Sequence, residues 1–260
     1  MQFALQIDTS LQGTIFADKL RCFDVVDSTN TLALEAAKAG APEGTVFAAD
    51  QQSAGRGRGG HSWHSESGTG LYFSMLLRPS LPVEDTLWLS LAAGAAVHGA
   101  ALDVTGIRAD IRWPNDLLIG PRKFCGILAE AQSESGAVVV GIGVNVNHAS
   151  FPPDLEPIAT SLRLASGKSF DPSKLLSSIL QHFDDEYLRL ICEERNRGAD
   201  LLARLPGMST WISGKRVHVP EQGGYSGITA GLDERGFLLV ETASGIRRVL
   251  SGGVREVEGA

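Results

Sequence analysis

Gly55-Arg56-Gly57-Arg58-Gly59-Gly60 stands shortly after a run, Thr45 to Ala49, that reads as a strand. Glycines let a backbone approach a ligand closely. The two guanidiniums between them offer planar forks of donors that match carboxylates and phosphates. An ordinary surface turn is the plain alternative, yet flexible cations alternating with glycine make a poor turn. The stretch reads as a loop that wraps a small anionic ligand and orders around it. It is not a dinucleotide fingerprint, which wants G-x-G-x-x-G opening a helix; here His61, Ser62, Trp63 and more polar residues follow.

Working outward, Asp27-Ser28-Thr29-Asn30 is helix-cap chemistry ahead of the helix former Thr31 to Ala39, which Gly40 and Pro42 end. Leu71 to Leu77 reads as a strand. Leu87 to Val104 reads as a long buried helix; Ser90, Gly94, His98, Gly99 and Asp103 interrupt it as a membrane candidate. Ile107 to Trp113 alternates apolar odd positions with charged even ones, a half-buried strand that places Arg108, Asp110 and Arg112 on one face. Leu117 to Ile119, a turn at Gly120-Pro121-Arg122, and Lys123 to Ala131 read as a hairpin. Val138 to Val146 is a further strand, thinned by Gly141 and Gly143. Pro172 to Ile191 is an amphipathic helix carrying Leu175, Leu176, Ile179, Leu180, Phe183, Tyr187 and Leu190. After Trp211 the rhythm shortens to five strand-like runs, at Arg216 to Val219, Ser226 to Leu232, Phe237 to Glu241, Ile246 to Leu250 and Val254 to Val257. Turns such as Gln222-Gly223-Gly224 and Ser251-Gly252-Gly253 separate them, and the spacing predicts a small barrel. The boundary is expected near Pro206-Gly207, giving units 1–206 and 207–260.

The chain has 260 residues, 43% of them hydrophobic, with a formal net charge of −7. That argues for a globular core and against a long nucleic-acid surface. Three widely spaced cysteines, Cys22, Cys125 and Cys192, suggest a reducing, cytoplasmic setting without a disulfide framework or zinc site. Met1 to Gln6 lacks the order of a signal peptide.

Other motifs carry chemistry or fail to. Ser166-Gly167-Lys168-Ser169 is not a phosphate loop, because Leu162 stands where that motif needs glycine. His61 and His64 have H-x-x-H spacing but bring no third ligand in a helical context, so they are not read as a metal pair. Trp113-Pro114-Asn115-Asp116 holds a polar pair just past a strand end; an ordinary Asn-Asp turn reads equally well. Lys123, with Gly126 clearing space beside it, can reach a phosphate or carboxylate as a point charge.

Taken in order, Asp27-Ser28-Thr29-Asn30, Gln52 to Gly60 with Trp63, Arg112-Trp113-Pro114-Asn115-Asp116, Lys123 with Gly126, Val140-Gly141-Ile142-Gly143-Val144-Asn145 and the small C-terminal unit resemble the biotin protein ligase family. The resemblance implies an α/β (α+β) catalytic domain of the class II aminoacyl-tRNA-synthetase type and an SH3-like C-terminal β-barrel. It implies an ATP-dependent ligase that makes biotinyl-5′-AMP and transfers the biotinyl group to a lysine of a biotin carboxyl carrier protein. Lys123 and Arg58 would be catalytic. Ser28, Thr29, Asn30, Gln52, Arg56, Gly57, Arg58, Lys123 and Gly126 would bind biotin; Arg56, Arg58, Asn115 and Lys123 would bind ATP. Mg²⁺ would accompany ATP, with its protein ligands unassigned and no tightly bound cofactor expected. The expected partners are the carrier protein and the small molecules, with no nucleic acid or membrane, in a monomer or homodimer.

The sequence departs from the family pattern where Arg112 replaces the usual lysine, so Arg112 is given no catalytic role. Only 26 residues precede Asp27. That is fewer than the roughly 40 a packed DNA-reading domain usually needs, so a form without the repressor arm is expected. The rivals are a lipoate or octanoate transferase on the same catalytic fold and a non-catalytic biotin sensor.

Overall fold

The computed structural model describes residues 5, 9–82, 86–192, 198–220, 223–250 and 252–257. Gln222 and Ser251 of two expected turns, and the first six residues apart from Leu5, lie outside them.

A seven-stranded sheet runs in the order β1-β2-β3-β7-β6-β5-β4. Its strands are β1 (Leu20–Val26), β2 (Val46–Gln52), β3 (Gly70–Leu77), β4 (Asp110–Arg112), β5 (Asp116–Ile119), β6 (Arg122–Gln132) and β7 (Ala137–Asn145). β1 and β2 are parallel, joined by the crossover helix α1 (Thr29–Lys38); the other ladders are antiparallel. α1 covers one face through Ala33 and Ala37, which pack with Phe47, Leu76, Ala137 and Val139. The other face carries α2 (Leu87–Thr105), with α4 (Pro172–Cys192) packed on it. Up to Ala101 α2 is almost wholly buried and apolar on nearly every face, as a helix enclosed in a core tends to be, while Leu102 and Asp103 of its last turn are exposed. By length and apolarity it would pass for a membrane span, but 67% of its most apolar window is buried within the fold. α4 is amphipathic, and all seven apolar residues read for its inner face are buried.

The alternation from Ile107 to Trp113 holds in the burial: Ala109, Ile111 and Trp113 are buried, while Arg108 is exposed. The ladder itself is only three residues long, and β4 is one edge of the sheet. There Ile111 N donates to Met208 O at 3.0 Å instead of to a strand. Ser166 to Ser169 follows the short helix α3 (Leu162–Ser166), with Gly167 as its left-handed cap, and forms a surface connection.

Beyond the short α5 (Ala199–Arg204), the strands β8 (Ser213–Val219), β9 (Tyr225–Leu232), β10 (Leu238–Thr242), β11 (Gly245–Arg248) and β12 (Arg255–Glu256) make one antiparallel sheet, ordered β11-β10-β9-β8-β12. The small C-terminal β unit is present, but its ladders do not close into a ring among the described residues. β11 and β12 remain its outer strands. Its inner side chains Val217, Val219, Leu238, Val240 and Val249 belong to the same hydrophobic cluster as α2 and α4. Trp113 Nε1 donates to Gly236 O at 3.0 Å, binding the turn after β9 to the end of β4.

Trp113→Phe should orphan that buried carbonyl, at a cost of about 1–3 kcal/mol, and add the cost of the smaller ring's cavity. A drop in the urea midpoint with unchanged slope is the expected result; an unchanged midpoint would show that the indole, its N–H included, does not tie the two sheets together.

Candidate active site

The α1 face of the sheet is stripped of side chains where the cleft lies. Strand register sets Tyr72 of β3, Gly143 of β7, Gly126 of β6, Asp116 of β5 and Arg112 of β4 in one row across five strands. The next row is Ser74, Gly141 and Leu128. Side chains from above rest directly on this glycine floor. A Cβ at Gly126 would meet the Trp63 ring at 2.8 Å, and a Cβ at Gly143 would collide with its indole nitrogen; one at Gly141 would collide with Asn30 Oδ1.

Lys123 reaches the same floor only because β6 is irregular. Leu117 pairs with Cys125 but Leu118 pairs with Lys123, so Phe124 is the extra residue of a β-bulge. Strict alternation would bury Lys123 beside Cys125 and Ile127 in the α2 core. The bulge sends Phe124 and Cys125 into that core, each 0% exposed, and turns Lys123 to the cleft. The backbone of Lys123 is held on its other side as well, by Ile158 O at 2.8 Å and Thr160 N at 2.9 Å.

The glycine–arginine segment forms a narrow turn closed by a bridge between Arg56 and Ser62. Gly59 at φ 68° takes the left-handed backbone that the turn demands. Arg56, Gly57, Arg58, Ser28, Thr29, Asn30, Gln52, Asn115, Lys123 and Gly126 all line one cleft. Every residue singled out for the site in the sequence is therefore brought together. Trp63, Phe73, Ile127, Leu128, Gly141, Ile142 and Gly143 complete the lining.

The polar groups form a chain. Gln52 Oε1 accepts from Thr29 N at 2.9 Å and Thr29 Oγ1 at 3.2 Å, and Gln52 Nε2 donates to Ser65 Oγ at 2.9 Å. Ser74 Oγ lies 2.8 Å from Thr29 Oγ1 and 2.6 Å from Asn30 Oδ1. Asn30 Nδ2 donates to Glu130 Oε2 at 2.8 Å, and Glu130 Oε1 pairs with Arg56 at 2.6 Å. Asn115 commits its Nδ2 to Ile127 O at 2.9 Å. Ser74 and Glu130 sit within strands and carried no sequence signal; only register reveals them.

Each cation of the cleft has a partner. Arg58 Nη1 donates to Gly252 O at 2.7 Å, joining the loop to the C-terminal unit. Lys123 Nζ lies 2.5 Å from Asp116 Oδ1 and 5.1 Å from the centre of the Trp63 ring. Asp116 Oδ2 pairs with Arg112 at 2.6 Å, and the Arg112 guanidinium lies 5.5 Å from the Trp211 ring centre. Burial pushes the Asp116 carboxyl up, but the Lys123 and Arg112 charges outweigh it and hold it below the ordinary carboxylate range. Asp116, read as part of a loop, is the first residue of β5 and the counter-ion of Lys123.

Two family models match the chain. One, described as the biotin/lipoate A/B protein ligase family, covers residues 22–147, and the other, the biotin protein ligase C terminal domain, covers residues 212–254. The bifunctional ligase/repressor BirA of Bacillus subtilis strain 168 is 36% identical over 264 residues, spanning 96% of this chain and 77% of that protein. The biotin--[acetyl-CoA-carboxylase] ligase of Mycobacterium tuberculosis is 34% identical, spanning 90% of this chain and 88% of that protein. Among solved structures, the Aquifex aeolicus biotin protein ligase in complex with biotin and ATP superposes with a TM-score of 0.81 at 31% identity, covering 92% of this chain and all of that one. The agreement runs through both sheets and through the segments that line the cleft: the chain belongs to the biotin protein ligase family.

Proposed function

We propose that this chain joins the carboxylate of biotin to the α-phosphate of ATP, releasing diphosphate, and passes the biotinyl group from biotinyl-5′-AMP to a lysine of a biotin carboxyl carrier protein, releasing AMP. The observation that carries this reading is the convergence of Arg56, Arg58 and Lys123 on one cleft whose other wall is a chain of amide and hydroxyl groups. Attack of a carboxylate on a phosphate brings two anions together; fixed cations lower that cost and hold the reactants in line.

In this reading Lys123 and Arg58 are catalytic. Ser28, Thr29, Asn30 and Gln52 receive the ureido ring, whose donors and acceptor need partners once buried. Arg56, Gly57 and Gly126 complete the biotin side, and Arg56, Arg58, Asn115 and Lys123 the ATP side. Residues 1–206 form the catalytic unit and 207–260 the C-terminal one. The ion pairs make the exchange of partners cheap. When Lys123 turns to the adenylate, Asp116 keeps Arg112; when Arg56 turns, Glu130 keeps Asn30. No buried charge is stranded. Mg²⁺ is assigned to the phosphates of ATP, since the carboxylates nearest the lining cations, Asp116 and Glu130, are already ion-paired and offer no protein cage.

Incubation of a carrier domain with this protein, biotin and ATP should add one biotinyl group at one lysine by mass spectrometry. No mass gain, or equal transfer of lipoate, would overturn the reading. Lys123→Gln should slow biotin-dependent diphosphate exchange at least about a hundredfold while leaving the melting temperature close to the parent's; exchange at the parental rate removes Lys123 from the chemistry. Gly143→Ala, which drives Trp63 off the floor, should weaken biotin binding about tenfold or more by calorimetry. Arg58→Gly removes both a loop cation and the tether to Gly252, so the adenylate should escape and label lysines of bystander proteins; unchanged selectivity would refute retention by the loop.

A further inference from the structure

His64, set aside in the sequence for want of a third ligand, finds two partners in the fold. One ring nitrogen of His64, one of His148 and a carboxylate oxygen of Glu66 lie within 4.8 Å of one another. The histidine rings are 6.0 Å apart centre to centre, and Phe151 stacks on His148 at 5.0 Å. His148 is fully buried.

The hydrogen bonds fix the state of that ring. Tyr72 Oη donates its single proton to Glu66 O at 3.1 Å, so it accepts from His148 Nε2–H at 3.4 Å. A neutral imidazole has only that one proton. Nδ1 keeps a bare lone pair, enclosed and without a hydrogen-bond partner. A buried acceptor with no donor is destabilising. An imidazole whose N–H is held by an oxygen while its other nitrogen is bare is the arrangement seen in metal-ligating histidines.

We propose that His64, Glu66 and His148 bind one divalent cation of the zinc class, with water as the fourth ligand. Two nitrogens and a carboxylate suit zinc and its borderline neighbours; magnesium and calcium favour oxygen-only sets. Ligand atoms at bond lengths of about 2.0 Å in a tetrahedron stand roughly 3.3 Å apart, so separations of up to 4.8 Å close by at most about 1.5 Å, which the exposed Glu66 side chain is free to help supply. The site is separate from the cleft but coupled to it. Trp63 lines the cleft and Ser65 bonds Gln52, while His64 and Glu66 alternate with them along the chain. His148 lies three residues beyond Asn145, where β7, the strand carrying Gly141 and Gly143, ends. The ion would clamp the segment leaving the glycine–arginine loop to that strand end and keep Trp63 seated on its glycine floor.

The test is calorimetric titration of Zn²⁺ alone into chelator-stripped full-length protein. One saturable site is expected. His64→Gln and Glu66→Gln should each weaken it at least about tenfold, whereas His61→Gln and Cys192→Ser should leave it unchanged. Because His148 is buried, these less buried positions carry the test. Zinc should raise the melting temperature of the parent and not of His64→Gln. Cobalt(II) should give the intense visible bands of a four-coordinate complex only where His64 is present. No saturable binding, or binding unchanged in both His64→Gln and Glu66→Gln, would overturn the proposal, and neither outcome bears on biotin chemistry.

Discussion

A row of absent side chains organises this molecule's working face. Gly126 and Gly143 stand opposite each other on neighbouring strands, and Gly141 stands opposite Leu128. Without Cβ atoms there, the Trp63 indole and the Asn30 amide lie directly on the sheet backbone. Trp63 in turn positions the end of the glycine–arginine loop, and Asn30 anchors the start of α1 to Glu130 and Ser74. A side chain at Gly126 or Gly143 would push the loop's Trp63 off the sheet, and one at Gly141 would push off Asn30 at the start of α1. The cost would fall on the geometry of the cleft as well as on stability.

The electrostatics rest on that geometry. Three cations in one cleft would repel one another in the absence of partners. The fold gives each a counterweight from a different element: Asp116 of β5 for Lys123, Glu130 of β6 for Arg56, and the Gly252 carbonyl of the C-terminal unit for Arg58. Two of these partners keep a second donor of their own, Arg112 and Asn30 respectively. Such shared partners let a cation turn to a substrate anion without leaving a carboxylate alone in a poorly solvated place. The Arg58 contact makes the loop sensitive to the C-terminal sheet, which is joined to the rest through Trp113 and a continuous apolar cluster.

Much of this was readable along the chain. Alternation marked the edge strand before Trp113, helical spacing marked the inner face of α4, and glycine with arginine marked the loop. Each is a local pattern, set by side-chain direction at intervals of two or three to four residues. The residues drawn together by the family resemblance lie in one cleft because their strands are neighbours in the sheet. The expected C-terminal barrel was only partly met: five strands were foreseen and five are present, but as a sheet with two outer strands.

What the linear order could not convey came from register and from meetings between distant segments. The bulge at Phe124 turns Lys123 from the core to the cleft, and nothing in Arg122-Lys123-Phe124-Cys125 announces it, because a bulge is a relation between two strands. Asp116 as counter-ion, Glu130 and Ser74 in the polar chain, and Gly252 beneath Arg58 are likewise pairings across separate elements. His64 and His148 show the same limit most plainly. A spacing rule looks for ligands on one helix or hairpin, whereas here a loop residue meets the end of a strand far along the chain. Local propensity is written residue by residue; the partner of a polar atom is chosen by whichever element packing brings within about 3 Å of it.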